Sequence, residues 1–332
     1  MIAPPTPASI AHAVHALQQG QLLGLPTETV YGLAADACNS KAVDQVFTRK
    51  GRPKGHPLIV HVVDAAAAMH FAAEVPDFAA QLMQAFWPGP LTVILPRRAG
   101  VADAAAGGHP TIGLRCPSHP VAQQLLQAAL AAQPPVYGLA APSANPFGRI
   151  SPTSAAHVGD SLGEDLLILD GGDCRVGIES TIVDCTRSQP IILRPGAITA
   201  SQIAQVTGCA ACTGDQPADS APAPHAPGTL TAHYAPNAKV RLMDGPAIQA
   251  ALDVLGSDAG HIALYTRQRM RAADTVLQRR MPAQPEAAAQ QLFRTLRELD
   301  AAGVALIWVE TPPAGPAWDG VRDRLQRAAA SN

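Results

Sequence analysis

An α/β fold with a mixed main sheet, followed by a second and smaller α/β domain, is what this sequence predicts. Three observations carry that expectation. Helix-like and strand-like apolar periodicities alternate from residue 9 onward. Strand signals then follow one another directly in LLILDGG, STIVDC and IILRPG (166–196), which a purely parallel sheet with crossover helices would not allow. Finally, residues 209–229, CAACTGDQPADSAPAPHAPGT, lose all periodicity and fill with Ala, Pro, Ser and Gly before the alternation resumes. The resulting division is a first domain over 1–208, a linker over 209–237 and a second domain over 238–332.

In order, Ser9 is read as the cap of a helix with Ile10, Ala13, Val14 and Leu17 on one face and Gly20 at its end. QLLGLP follows as a strand, and Ser40 opens a helix carrying Val43, Val46 and Phe47. A basic loop leads to a strand over 58–63, in which Ile59, His61 and Val63 share one face. DFAAQLMQAF reads as a helix, LTVILP as a strand, 119–132 as a helix and VYGLAAP as a strand. Ser151-Pro152 has the composition of a cap and first turn for the next helix. The second domain reads KVRLMDG (strand), PAIQAALDVL (helix), HIALYT and DTVLQRR (strands), a helix over 285–302, ALIWVET (strand) and a last helix over 318–329.

The composition narrows the function. The chain of 332 residues is 47% apolar and 15% charged, with a net charge of -2, so it has ample core and is not a general nucleic-acid binder. The first residues lack Lys, Arg and a signal-type apolar run, and the cysteines lack framework spacing, so a cytoplasmic protein with reduced thiols is expected. Against this neutral background, Arg49, Lys50, Arg52 and Lys54 crowd six positions just before the apolar LIVHVV. A small anionic ligand would explain them; so would a solvated helix C-terminus, where cations also suit the macrodipole. No P-loop or G-x-G-x-x-G occurs. Cys209-x-x-Cys212 with His225 and His233 has finger-like first gaps, but the histidine spacing is too long and no zinc site is expected. Thr27, Glu28 and Thr29, the hydroxyls and amide of APSANPFGRIS (141–151), Arg115 and Arg194 all fall at strand ends, where α/β sheets present ligands.

Taken together and in order, LPTETVYGLAADA, KGRPKGHPLIVH, WPGPLTVIL, GLRCPSHP, APSANPFGRISPT, GIESTIVD and ILRPGAIT resemble the YrdC-like threonylcarbamoyl-AMP synthases. APGTLTAHYAP (226–236), with a small α/β domain after it, resembles that family's long form. The resemblance implies a YrdC-like twisted mixed sheet, a Rossmann-like second domain, and a nucleotidyltransferase that turns L-threonine, bicarbonate and ATP into threonylcarbamoyl-AMP and diphosphate. A tRNA threonylcarbamoyl-transferase complex would receive the product, and Mg²⁺ would accompany ATP without a dedicated protein site. Carried over by motif, Lys50, Arg52, Ser143 and Asn145 form the catalytic set. His56, Thr111, Ser151, Arg194 and Tyr234 join Arg52 and Ser143 on the ATP side, while Thr29, His61, Arg115, Ala141 and Ser180 line the threonine side. His56 stands where some relatives carry Asn. An unstable mixed anhydride as product favours closure, so 226–236 is expected to act as a lid bringing Tyr234 to the nucleotide. The rival expectation is an RNA-binding translation factor using the same basic loop. A hydrogenase-maturation carbamoyl transferase would need an acylphosphatase part and zinc modules that this chain lacks.

Overall fold

The computed structural model describes residues 1–209, 211–213 and 224–331. The centre of the Ala/Pro linker, 214–223, lies outside the described residues. By contacts the chain forms two units. One comprises Met1–Phe147 and Pro152–Thr229; the other comprises Gly148–Ser151 and Leu230–Asn332. The division thus falls inside the stretch read as linker, and a four-residue loop from the middle of the first segment belongs to the second unit.

The first unit runs β1 (Ile2–Ala3), α1 (Pro7–Gln18), β2 (Leu23–Leu25), β3 (Gly32–Asp36), α2 (Ser40–Lys50), β4 (Ile59–His61), α3 (Ala65–Ala68), α4 (Asp77–Phe86), β5 (Leu91–Pro96), β6 (Thr111–Arg115), α5 (Pro120–Ala131), β7 (Leu139–Ala140), α6 (Ala155–Leu162), β8 (Leu167–Leu169), β9 (Thr181–Asp184), β10 (Ile191–Arg194), α7 (Ala200–Thr207) and β11 (Cys212–Thr213). Its strands form one sheet in the order β1-β8-β2-β3-β7-β4-β6-β5-β9-β10-β11. Parallel pairs such as β4–β6 and β5–β9 alternate with antiparallel pairs such as β5–β6 and β9–β10, the mixed sheet expected.

Local chemistry corrects two caps. Thr6, not Ser9, caps α1: its hydroxyl accepts from Ser9 N, and Pro7 takes the first helical position, where its missing N–H costs nothing. Ser154, not Ser151, caps α6. Five elements carried no sequence expectation: β1, β3, α3, α7 and β11, and the last of these corrects the reading of 209–229 as linker throughout. Helix α7 is opened by a reciprocal Thr199–Gln202 capping box.

Strand alternation gives the sheet two different faces. Leu58, Val60, Val62, Leu91, Val93, Leu95, Ile112, Leu114 and Val183 turn to a continuous core shared with α2, α4 and α6. On the opposite face α1 and α5 cover β2, β3 and β7. Further along that face, β4, β6, β5 and β9 carry Ile59, Ile94 and Ile182 as a small apolar cluster. The registers His61↔Arg115 and Val93↔Leu114 put His61, Arg115 and Thr92 in one row beside it. This row is where buried polar residues collect.

The second unit has β12 (Lys239–Met243), α8 (Gly245–Leu255), β13 (Ile262–Thr266), β14 (Leu277–Arg280), α9 (Pro285–Ala301), β15 (Leu306–Glu310) and α10 (Asp319–Ala329). Its sheet, in the order β12-β15-β13-β14, is parallel throughout, the Rossmann-like arrangement expected. Among the described residues no helix is long and apolar enough to cross a membrane.

Candidate active site

The basic cluster splits into two pairs with different fates. Arg49 leaves the last turn of α2 toward the surface, donating to Leu162 O at 2.7 Å and pairing with Asp165 at 2.6 Å. Lys54 pairs with Asp44 at 2.8 Å, both side chains exposed. For these two the solvated helix end is the right description. Lys50 and Arg52 instead turn inward and are buried. Gly51 makes that possible: as the C-cap residue at φ 61° it reverses the chain within one residue.

Lys50 Nζ donates to the carbonyls of Ser143 and Asn145, 2.5 Å each, while Lys50 O accepts from Phe147 N at 2.7 Å. The loop after β7 is therefore strapped to the end of α2 at both ends of one residue. Burial pulls the Lys50 ammonium well below the usual lysine range; the charge of Arg52 acts in the same sense and Glu179 opposes it. Two charge-assisted hydrogen bonds return about 1.5–3 kcal/mol each, against several kcal/mol to bury the ion. The two sides are of similar size, so burying this ion brings the fold little net stability. Arg52 donates from Nη2 to Pro57 O at 3.0 Å, and its guanidinium lies 5.4 Å from the centroid of Phe147. The His56 ring meets the same phenyl edge-on at 5.6 Å. Burial first, then the cations and histidines around it, lower the His56 imidazole. Asn145 Nδ2 donates to Pro146 O, and Ser143 bridges to Gly32, where a Cβ would lie 3.0 Å from that of Ala141.

Of the residues expected on the threonine side, Arg115 meets Thr29 directly. Its Nη2 pairs with Glu28 Oε1 at 2.7 Å, both side chains about 5% exposed. Its Nη1 donates to Thr29 Oγ1 at 2.7 Å. Glu28 Oε2 accepts from Ser118 N at 3.1 Å, and Thr27 Oγ1 accepts from the backbone N of Thr29 and of Val30, fixing the turn that presents all three. His61, one strand over, is buried with Nδ1 lacking any hydrogen-bond partner. Its burial, with the neighbouring Arg115 charge, pushes the imidazole down to about 3, so it is neutral at any working pH. Ser180 Oγ bonds Thr92 Oγ1 at 2.8 Å. Arg194 holds Ser180 O through Nε (3.1 Å) and Nη2 (2.9 Å), and gives Nη1 to Pro227 O at 2.9 Å.

The first unit thus brings together Thr29, His61, Arg115, Ala141, Ser180 and Arg194 on one sheet face, and Lys50, Arg52, His56, Ser143 and Asn145 around the end of α2. Thr111, at the first residue of β6, is half-buried. Ser151 and Tyr234 belong to the second unit. There Arg297 reaches the Ile150 carbonyl at 2.5 Å, and Tyr234 is buried against Phe293, with ring centroids 5.4 Å apart, and the guanidinium of Arg324. Of the segment expected as a lid, 226–229 lies with the first unit and 230–236 with the second.

Four contributors are not among the residues carried over by motif. Sequence position marks Glu28 only as a strand-end polar residue, and its partner could have been sought because an acid in an otherwise uncharged stretch needs a buried one. Thr92 is the one hydroxyl in LTVILP and falls on the ligand face by period two. Glu179 and Phe147 lie inside motifs already noted, but nothing local marks them. Among the described residues no group of three or more His, Cys, Asp or Glu is placed to hold a metal ion.

A twisted mixed sheet with a buried Lys–Arg pair at one helix end and a buried Arg–Glu–Thr cluster on its open face defines a YrdC-like α/β enzyme. Comparison with known proteins specifies it further. The Sua5/YciO/YrdC family model, described as "Telomere recombination", matches residues 15–196, and one described as "Threonylcarbamoyl-AMP synthase, C-terminal domain" matches 198–330. A threonylcarbamoyl-AMP synthase of Pyrococcus abyssi is 36% identical over 326 residues, 94% of this chain and 92% of the relative. One from Bacillus subtilis is 36% identical over 327 residues, 96% and 92% respectively. The crystal structure of P. abyssi Sua5 complexed with L-threonine superposes with a TM-score of 0.87 at 32% identity, covering 100% of this chain and 98% of that one. The chain belongs to the threonylcarbamoyl-AMP synthase family, in its two-domain form. Its activity is ATP-dependent formation of threonylcarbamoyl-AMP, an adenylyl transfer serving threonylcarbamoyladenosine modification of tRNA.

Proposed function

We propose that the two side-chain groups of the first unit divide the reaction between them, with Arg115, Thr29, His61, Ala141 and Ser180 holding L-threonine and the Lys50–Arg52 end of α2 holding ATP. The observation that carries this reading is the donor inventory of Arg115. A guanidinium has five N–H groups; Thr29 takes one and a 3.4 Å contact from Nε to Gly89 O a second, while Nη2 lies 2.7 Å from Glu28 Oε1 as an ion pair without hydrogen-bond geometry. Three N–H groups are thus left to meet the threonine carboxylate. The orphaned His61 Nδ1 and the Ser180 and Thr29 hydroxyls offer partners for the substrate hydroxyl and amine, and Ile59, Ile94 and Ile182 a surface for its methyl group. The structure of P. abyssi Sua5 with L-threonine supports this occupant.

In this reading the threonine amine bonds to the bicarbonate carbon, a C–O bond breaks and water leaves, giving a carbamate. A carbamate oxygen then attacks the α-phosphate, and diphosphate leaves with the electrons of the broken P–O bond. No protein nucleophile is needed. Charge grows on the departing diphosphate, where Lys50 keeps one N–H beyond its two carbonyl bonds and Arg52 is held on Phe147. Ser143 and Asn145 set the geometry through the carbonyls that fix Lys50. His56 and Thr111 belong to the same ATP side, as does Arg194 through its hold on Ser180. Mg²⁺ would come with the ATP phosphates; the donors present do not form a resident site, and no step is assigned to it. The product would pass, in the cytoplasm, to a tRNA threonylcarbamoyl-transferase complex.

The test is diphosphate release by the purified protein. Release should require both L-threonine and bicarbonate, and serine should be a much poorer substrate. Equal release without threonine would overturn the assignment.

A further inference from the structure

The carboxyl edge of the second sheet carries a cleft of about 950 Å³ that adenylate synthesis does not use. It lies where β13 ends, in the 267–276 crossover to β14, and ligands of open parallel sheets bind outside the carboxyl ends of the strands.

The loop around the cleft is built rather than merely connecting. Arg267 N donates to Glu310 Oε2 at 2.7 Å. Gln278 bonds Met270 through both its ends, accepting from N at 3.1 Å and donating to O at 3.2 Å. Gln249 does the same for Arg271, at 2.9 Å both ways. Two side-chain amides thus stand in for strand neighbours at successive residues, fixing a backbone that sequence alone would leave open.

Held on this backbone are cations in excess of any structural need. Four arginines line the cleft, Arg269, Arg271, Arg279 and Arg280, against one acid, Asp274, and Arg267 stands next to them in the chain. Glu310 occupies Arg267 and Glu298 occupies Arg279. Arg271 has only Asp253 at 3.5 Å, both exposed, which is worth little. Arg280 gives Nε to Arg267 O at 3.2 Å, and Arg269 has no acidic partner among the described residues. The second unit as a whole has 13 Lys and Arg against 10 Asp and Glu, in a chain whose net charge is -2. Beneath the guanidinia the lining is apolar: Met270, Ala272 and Ala273 are half-buried and Val276 is buried in the unit's core.

We propose that this cleft binds a free nucleoside phosphate, its phosphates on Arg269, Arg271 and Arg280 and its base over Met270, Ala273 and Val276. Guanidinium forks suit phosphate oxygens, and the volume is that of a small-ligand site. No aromatic side chain lines it, so it offers no platform for the successive bases of an RNA strand.

Photolabelling the full chain with an azido-ADP and mapping the labelled peptides tests this independently of the first-unit site, because labels in the two units fall on different peptides. Label is expected within 266–280. The pair Arg269→Gln and Arg280→Gln should reduce it by about tenfold or more, the loss of one or two charge-assisted bonds, with melting and diphosphate release unchanged. ADP should also slow backbone hydrogen exchange across 267–276 in the unmodified protein. Absence of both label and protection would overturn the proposal, as would labelling indifferent to the double substitution. Displacement by a single-stranded RNA at lower concentration than unlabelled ADP would assign the cleft to RNA instead, and the proposal would fall.

Discussion

Arg115 shows how one residue can be legible as a type and illegible as a site. Its position at the end of TIGLR marks it as a strand-end cation; nothing around it reveals that the partner is Glu28, 87 positions earlier in the chain. The pair is expected to dominate the local energetics. Glu28→Ala would leave a buried guanidinium without its counter-charge, so the first unit should lose about 3–5 kcal/mol in urea unfolding. Replacing both partners by apolar residues should cost less than that single change. A loss under 1 kcal/mol for Glu28→Ala would show that water compensates the arginine. His61 gives the pH counterpart. Its imidazole titrates near 6.5 when unfolded and at about 3 when folded. Between those values the unfolded chain binds the extra proton, so stability should fall as pH drops from 6.5 to 3, by at most about 1.4 kcal/mol per unit. Above pH 6.5 this group contributes no slope. His61→Asn should flatten that acid limb in urea titrations; an identical limb would mean other groups control it.

The end of α2 is where reading by element works and where it stops. Helical period places Val43, Val46 and Phe47 on the core, and a cationic last turn is good helix chemistry, so the element itself was readable. Composition cannot say which cations turn inward, because that depends on the αL reversal at Gly51 and on carbonyls from the 143–145 loop, nearly 100 residues away. The two fates give opposite expectations. Arg49→Ala and Lys54→Ala remove exposed ion pairs and should leave turnover within about twofold. Lys50→Ala and Arg52→Ala should lower it by about 10- to 1000-fold, the range for losing one transition-state donor. Steady-state rates for all four at matched stability decide it; a uniform response would return the cluster to a surface role. The same contrast explains the two misplaced caps. Thr6 and Ser9, or Ser151 and Ser154, are equally good residues three positions apart, and tertiary placement chooses between them.

At the scale of the whole molecule, the composition break told of two units but not that one borrows a loop from the other's sequence. Gly148–Ser151 sits between Phe147, which carries Arg52, and Pro152, whose carbonyl accepts from Tyr31 N. Several of its partners lie beyond residue 230: Ala235 N donates to Gly148 O at 2.8 Å, Arg149 reaches Pro236 O at 3.1 Å and Asn237, and Arg297 holds the Ile150 carbonyl. No local pattern in GRIS could announce such distant partners. The consequence concerns what the second unit does for catalysis. Removing residues 230–332 leaves the eleven-stranded sheet and its core intact, so the shortened chain should still fold. It strips every one of those partners from a loop that continues directly from Phe147, so diphosphate release should fall by about tenfold or more, since ångström-scale misplacement of reacting groups is costly. Truncation alone could act through many contacts, and Arg297→Ala in the full chain isolates this one. It should raise the KM for ATP and lower kcat by a smaller factor of about 3–10, roughly one charge-assisted hydrogen bond, with both unfolding transitions unchanged. A truncated chain with full activity would mean the 148–151 loop holds its shape unaided, and the second unit would then have no part in positioning the nucleotide.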